Sequence, residues 1–536
     1  MDPRDEPDDL SGPLDGDEDD DLGPDVEDDE ELEDAEGHLR GAAGDPRGEM
    51  APDDDEDGGL GPAFDLVDDD AEEPAEVVEL TDDEADDVLS RFQAIEAALT
   101  RRWPESRIEP SLDRISALVD LLGDPHRAVP VIHLAGTNGK TSTARMVESV
   151  LRALGLRTGL FTSPHLHSLR ERIRIDGAPV DLERFVTVFD DIAPYVAIAD
   201  RSSAKAGGPP LSFFEVMTGL AFATFADAPV DVVILETGMG GRWDATNVAD
   251  AAVAVVTPIA LDHMDYLGPD LASIAGEKAG IIKPGSSVVL AAQELAVAEV
   301  LLRACVEADA SAAREGVEFG VVARAPAIGG QLLTLQGPAG LYPEIFLPLF
   351  GAHQAANAAM ALAAAEAFLG GGGTSLNPDL VRQGFAAVES PGRLEVVRRG
   401  PTVVVDAAHN PHGAAALAAA ITDGFEFTSL VGVVGVLADK DARGVLAALE
   451  PVLAEVVITR SSSPRATDVD TLAAIAVEVF GADRVEVSSR LADALDLAMT
   501  RADEAAAELG GGSGVLVTGS VVTAAEARAL LGRAEA

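Results

Sequence analysis

Apolar residues in this chain fall into two patterns, short unbroken runs and stripes spaced three and four apart, which alternate from about residue 113 to the C-terminus. Between Asp113 and Leu122 the apolar positions Ile115, Leu118, Val119 and Leu122 lie at helical spacing and predict a helix. Val129 to Ala135 is a short apolar run of strand type, a glycine loop follows, and Thr143 to Leu154 returns to helical spacing. Further runs at Val230 to Leu235, Ala251 to Val256 and Ser287 to Ala291, separated by helix-like stretches, predict buried strands of a mostly parallel sheet covered by helices. Residues 309–350, rich in Gly, Pro and β-formers, predict a peripheral strand region, and Gln354 to Leu369 an Ala-rich helix stopped by Gly370 to Gly373.

After the break at Ser390-Pro391-Gly392 the alternation resumes. Thr402 to Val405, Leu430 to Val436, Val456 to Thr459 and Gly514 to Thr518 predict strands, with helices such as Ala442 to Leu449 and Ala492 to Ala502 between them. The expected fold class is α/β, with a larger domain over residues 91–390 and a smaller Rossmann-like α/β domain over 391–536. No internal repeat is visible.

Charge changes the picture at one end only. Of 94 acidic and 38 basic residues among 536, residues 1–90 hold 40 acids and 3 bases. Such a segment buries too little apolar surface to offset the chain entropy of ordering, so residues 1–90 are expected to be a disordered acidic tail. The remainder is also net negative, which argues against a nucleic-acid or anionic-membrane partner. One cysteine, Cys305, excludes an intramolecular disulfide and a cysteine zinc site and points to a reducing compartment. The N-terminus is acidic where a secretory signal is basic and then apolar, and no apolar run approaches the roughly 18 residues of a spanning helix. A cytoplasmic protein is expected.

The candidate chemistry begins at Gly136-Thr137-Asn138-Gly139-Lys140-Thr141-Ser142, between a predicted strand and a predicted helix. Small residues there let backbone N–H groups close around phosphate oxygens at a helix N-terminus. Lys140 is placed to reach the terminal phosphates, and Thr141 or Ser142 to help hold Mg²⁺. Leu134 stands where the usual eight-residue pattern has its first glycine. Glu236 and His263 each follow a strand, at the sheet edge where α/β ligand sites gather, and are candidate metal ligands; strand-end carboxylates and histidines are also common without any ligand. Taken alone, Lys278 reads as a surface lysine whose stem covers apolar surface.

Nine motifs occur in one order: GTNGKTS, TSPHL from Thr162, SFFE from Ser212, ETGMGGRWDATN from Glu236, LDHMDYLG from Leu261, EKAGIIKPG from Glu277, GAHQAANA from Gly351, PGRLE from Pro391 and DAAHNPHG from Asp406. Together they resemble the folylpolyglutamate synthase/dihydrofolate synthase family, a branch of the Mur-ligase superfamily. The resemblance runs from about residue 105 to the C-terminus. It implies an N-terminal P-loop ATPase domain of Mur-ligase type and a C-terminal glutamate-ligase domain, with ATP-dependent amide ligation in the cleft between them. It further implies that Thr137, Asn138, Gly139 and Lys140 cradle the phosphates of ATP, and that Asn357, Arg393 and Asp406 contact the nucleotide. Ser163, Glu236 and His263 are implied as Mg²⁺ ligands, joined by Lys278 as a carbamylated lysine. His409 is implied to face the cleft beside the catalytic Lys140 and Lys278. A pterin pocket is implied around Leu112, Asp113, Arg114, Phe213, Phe214, Glu215, Trp243, Asp244 and Ala245. Gly139-Lys140-Thr141 departs from the Gly-Lys-Gly usual in the folate branch and is closer to the peptidoglycan Mur ligases.

The reaction so implied joins L-glutamate to dihydropteroate, or to the terminal glutamate of reduced folates, through an acyl phosphate, in an enzyme expected to be monomeric. Another Mur-type ligase acting on a cell-wall precursor stays open as an alternative. So does a non-catalytic P-loop nucleotide-binding protein, which leaves the DAAHNPHG loop unexplained.

Overall fold

The computed structural model describes residues 82–103 and 109–533, and these described residues belong to one compact unit. The expected tail lies outside the described residues up to Thr81, but its last nine positions do not behave as expected. A helix spans Asp82–Thr100, so the domain boundary expected at residue 91 falls inside it. Phe92, Ile95 and Leu99, spaced three and four apart, are buried and hold this helix to the body, while Asp86 and Asp87 stay exposed.

The larger lobe is built on an eight-stranded sheet. Its central strand, Val131–Ala135, runs parallel to Val232–Glu236 on one side and Ala251–Val256 on the other. The register pairs Leu134 with Glu236 and Ala135 with Val256, so three neighbouring strands end level. Gly136, Thr237 and Thr257 therefore open loops on the same edge, as expected for a parallel sheet whose connections cross back outside it. Strands Thr158–Phe161 and Ser287–Leu290 extend the sheet in parallel, and short antiparallel strands Ile173–Ile175 and Ala178–Pro179 close one margin.

The peripheral region divides in two. Ser311–Arg314 joins the main sheet as its other edge, and Gly320–Ala327, Gly330–Gln336 and Leu341–Leu347 form a separate antiparallel sheet. The Ala-rich helix, Ala352–Gly370, is almost wholly buried from Ala358 to Ala365. Its small side chains let it pack against the phosphate-loop helix Lys140–Ala153 and the sheet at once, where larger ones would hold the backbones apart.

The smaller lobe is a six-stranded sheet, parallel except for the edge strand Glu395–Arg399. Thr402–Val405, Ser513–Thr518 and Ser429–Val434 lie side by side, pairing Val405 with Val517 and Val434 with Thr518. Asp406, Gly435 and Ser520 thus start or follow loops at one edge. Helices Ala442–Leu449 and Leu491–Leu509 cover its faces, the second running past its expected end at Ala502.

Candidate active site

The ends of both sheets face one cleft of about 710 Å³. On the larger lobe, the phosphate loop turns from strand to helix with Gly139 as N-cap at φ 89°. A Cβ there would lie 2.7 Å from Asn357 Oδ1, and one on Gly136, at φ 150°, would lie 1.8 Å from Thr257 Oγ1. Only glycine lets the loop lie this close to its neighbours. Thr137, Asn138, Gly139, Lys140 and Asn357 all line the cleft. Asn357 donates to Gln354 Oε1 at 3.0 Å, and Gln354 reaches Ser142 Oγ at 3.4 Å, which ties the Ala-rich helix to the loop.

Two lysines converge on one carbonyl. Lys140 Nζ donates to Gly136 O at 3.0 Å and Thr137 O at 3.3 Å, and Lys278 Nζ donates to Gly136 O at 2.8 Å. Lys278 is 4% exposed, so the surface reading is wrong. The apolar helix Leu271–Lys278 that suggested a covered stem carries the whole side chain inward, beneath the phosphate loop. Burial first, and then the charge of Lys140, lower its pKa to about 7. Burial also lowers Lys140, against the pull of Glu236 and Asp262.

Glu236 is 2% exposed and accepts from Thr141 Oγ1 at 2.9 Å and from the Ser163 N–H at 3.3 Å. Burial raises its pKa, and Lys140 and Thr141 oppose that shift. The carboxylate thus has two hydroxyl-bearing residues beside it, a set of hard oxygen donors that fits Mg²⁺. Among the described residues no three His, Cys, Asp or Glu side chains form a metal cluster, so an ion held there would draw the rest of its shell from waters and nucleotide phosphates. His263 turns elsewhere: its Nε2 lies 3.2 Å from Lys440 Nζ on the other lobe. Burial lowers its pKa to about 4, leaving the ring neutral and able to offer a lone pair.

Asp406 is held by the Leu394 N–H at 2.8 Å and the Ala408 N–H at 2.7 Å, with burial raising its pKa against the pull of Arg393. Arg393 and His409 line the cleft with it. His409 Nδ1 lies 3.0 Å from Ala407 O, which assigns the ring proton to Nδ1 and leaves Nε2 as an acceptor, 3.8 Å from Asp262 Oδ2. Burial brings its pKa down to about 4.

The sequence reading missed the residues that join the lobes. Lys440 Nζ donates to Asp262 Oδ1 at 2.7 Å, with both side chains buried or nearly so. Burial raises the Asp262 carboxyl, but with His263 neutral the Lys440 charge holds it well below the usual range. Asn138 and Asn410 exchange amide hydrogen bonds at 3.2 and 3.1 Å, and Asn138 Nδ2 lies 2.9 Å from His412 Nδ1. Arg465, paired with Asp439 at 2.7 Å, also faces the cleft. A usable signal existed: Asp439-Lys440-Asp441 follows a strand as Glu236 and His263 do.

Of the residues named for the pterin pocket, Arg114, Phe214, Glu215, Trp243, Asp244 and Ala245 line the same cleft. Leu112, Asp113 and Phe213 do not. Leu112 and Phe213 pack toward the apolar core, Arg172 sits 5.0 Å from the Phe213 ring, and Asp113 is exposed at the start of its helix. Residues adjacent in a helix point about 100° apart, so neighbours of a lining residue commonly face away. Glu215 is already committed: its carboxylate caps Ser212 N–H at 2.7 Å and pairs with Arg114 Nε at 2.9 Å. Arg114 in turn lies 5.2 Å from the Trp103 ring, a residue the sequence reading passed over.

Comparison with known proteins is consistent with this geometry. The chain matches the Mur ligase middle domain over residues 214–365 and the Mur ligase, glutamate ligase domain over residues 392–521. It is 56% identical over 464 residues to a dihydrofolate synthase/folylpolyglutamate synthase of Mycobacterium tuberculosis, covering 84% of this chain and 95% of that protein. The chain belongs to the dihydrofolate synthase/folylpolyglutamate synthase family. The Escherichia coli member is 36% identical over 367 residues, covering 68% of this chain and 81% of its own. Among solved structures, M. tuberculosis folylpolyglutamate synthase complexed with ADP has a TM-score of 0.80 at 55% identity, covering 84% of this chain and 100% of that one. E. coli FolC in complex with DHPP and ADP has a TM-score of 0.70 at 32% identity, covering 83% and 98%. Membership in the dihydrofolate synthase/folylpolyglutamate synthase family decides for the folate branch despite the Gly-Lys-Thr loop.

Proposed function

We propose that this protein joins L-glutamate to dihydropteroate and to the terminal glutamate of reduced folates, as a cytoplasmic monomer using ATP and Mg²⁺. As a member of its family it is an ATP-dependent ligase of folate metabolism. The observation that carries the finer reading is the set of side chains that meet in one cleft. It is lined by the phosphate-loop residues, by Trp243, Phe214 and Arg114, and by His409, Lys440 and Arg465 of the other lobe. Among the described residues no helix is long and apolar enough to cross a membrane.

The acceptor's carboxylate oxygen attacks the γ-phosphorus of ATP, the bond to the bridging oxygen breaks, and ADP leaves. Lys140 offsets charge on the transferring phosphoryl group. Mg²⁺ held at Glu236, with Thr141, Ser163 and a carbamylated Lys278 around it, would supply further charge neutralisation on the phosphate oxygens. A buried amine with a pKa near 7 has a large neutral fraction, and only a neutral amine adds carbon dioxide; this supports the carbamate reading. L-Glutamate is a dicarboxylate, and the cations Lys440 and Arg465 line the same cleft. Its amino nitrogen, once it has given up a proton to a base such as the bare Nε2 of His409, which lines the same cleft, attacks the acyl phosphate carbonyl and inorganic phosphate leaves. Contact between the lobes shields the acyl phosphate from hydrolysis.

Dihydropteroate carrying ¹⁸O in its carboxylate tests the intermediate. One labelled oxygen is expected in the released phosphate. Label in AMP, or amide formation with unlabelled phosphate, contradicts the acyl phosphate.

A further inference from the structure

Behind the acceptor end of the cleft, on the central strand, lies a histidine that none of the motifs absorbs. His133 is completely buried, and its Nε2 is 2.7 Å from Thr246 Oγ1. Thr246 Oγ1, also completely buried, is 2.5 Å from Asp244 Oδ1. The chain therefore runs from the interior of the sheet, through one hydroxyl, to a carboxylate that lines the cleft.

Its polarity is fixed by counting protons. His133 Nδ1 is buried with no hydrogen-bond partner among the described residues. Beside the ionised Asp244, 2.5 Å away, Thr246 Oγ1 must give its one proton to the carboxylate and can only accept from His133, so the ring proton belongs on Nε2. Nε2–H then donates to Thr246 Oγ1, and the threonine's only proton is left to donate to Asp244 Oδ1. Burial, the larger effect, and the charge of Lys283 bring the His133 pKa to about 3, so the ring is neutral and this tautomer persists across the working range. Asp244 Oδ1 also accepts the Thr246 N–H at 3.0 Å, which saturates that oxygen. The other oxygen, Oδ2, accepts the Met239 N–H at 2.9 Å and is the one left for the cleft.

We infer that His133 and Thr246 are positioning residues for the acceptor substrate, holding the Asp244 carboxylate as a one-sided acceptor that pins the Gly238–Met239 wall and meets N–H donors of a bound aminopyrimidinone ring. The inference rests on the reading that the acceptor's pterin binds at the Trp243-Asp244-Ala245 end. A nitrogen heterocycle with adjacent amino and imino N–H groups is the ligand class that a carboxylate fixed in this way selects.

The test compares KM for dihydropteroate with KM for ATP in Thr246→Val, Thr246→Ser and Asp244→Asn, with melting temperatures recorded for each. Thr246→Val keeps the volume and loses the hydroxyl; it is expected to raise KM for dihydropteroate about tenfold or more and to leave KM for ATP within about twofold. Thr246→Ser restores the hydroxyl and should bring KM back to within about threefold of the parent. His133→Leu in the Thr246→Val background should add little, because the chain is already broken. Should Thr246→Val fail to fold, Thr246→Ala carries the same expectation. If Asp244→Asn raises KM for dihydropteroate and the Thr246 variants change only the melting temperature, the positioning role is refuted and the pterin reading stands. If Asp244→Asn leaves KM unchanged, the pterin reading fails, and the positioning proposal falls with it.

Discussion

Lys140 is where the charges of the cleft meet: Glu236, Asp262, Arg393 and Asp244 all act on it, and its amine sits on the loop carbonyls of Gly136 and Thr137. Lys140→Ala is expected to lower turnover by on the order of a hundredfold or more, measured on a variant whose melting temperature is retained. Near-parental turnover would remove the phosphate-loop assignment. At Lys278 the expectation is a comparable loss of Mg²⁺-dependent turnover in Lys278→Ala, partly restored by formate or acetate standing in for the carbamate oxygens. An active variant indifferent to these anions contradicts the carbamate. The sequence carried the identity of both lysines but not the burial of Lys278, because an apolar helical stretch reads alike whether its lysine points out or in. His133 gives a third check. Its folded pKa, about 3, lies below the 6.5 of an exposed ring, so between those values the unfolded chain binds more protons and stability rises with pH. The stabilisation is complete above about pH 6.5 and is lost as pH falls, by about 1.4 kcal/mol per unit until about pH 3. From pH 7 to 5 the parent should lose about 2 kcal/mol more than His133→Gln in urea unfolding. Equal losses would contradict the neutral buried ring.

At the level of elements, sequence pattern located most of the chain to within a few residues, since the short apolar runs at Val232–Glu236, Ala251–Val256 and Thr402–Val405 are strands buried along all or most of their length. The failure at Asp82–Thr100 has a physical cause. Charge counting averages over the segment, while a helix needs only one apolar stripe, and Phe92, Ile95 and Leu99 supply it beneath an acidic outer face. The exposed pair Arg91–Asp190 adds little to that attachment. Leu99→Ala is accordingly expected to destabilise the protein by about 2–5 kcal/mol in urea unfolding. A change below about 0.5 kcal/mol, as for a surface site, would return this helix to the tail.

Across the whole molecule, a formal charge of −56 opposes the approach of ATP, folates and glutamate, all of them anions. The cleft answers locally with Lys140, Arg393, Lys440, Arg465 and Arg114, drawn from both lobes. Contacts bridge those lobes at Lys440–Asp262, at Asn138–Asn410 and at Arg528–His167, where Arg528 Nη1 donates to His167 Nε2 at 2.7 Å. None of these pairs was legible in the sequence, because each joins residues more than 170 positions apart and no local pattern reports such a contact. What was legible was the set of loops at strand ends, since parallel sheets deliver them to one edge. The central claim, that one cleft activates a pteroate or folate carboxylate and passes it to glutamate, is tested most directly by phosphate release from ATP. With L-glutamate present, release should require an acceptor and should proceed with both dihydropteroate and tetrahydrofolate. ATP binding with no acceptor-dependent release, or release that answers only to a cell-wall precursor, would contradict it.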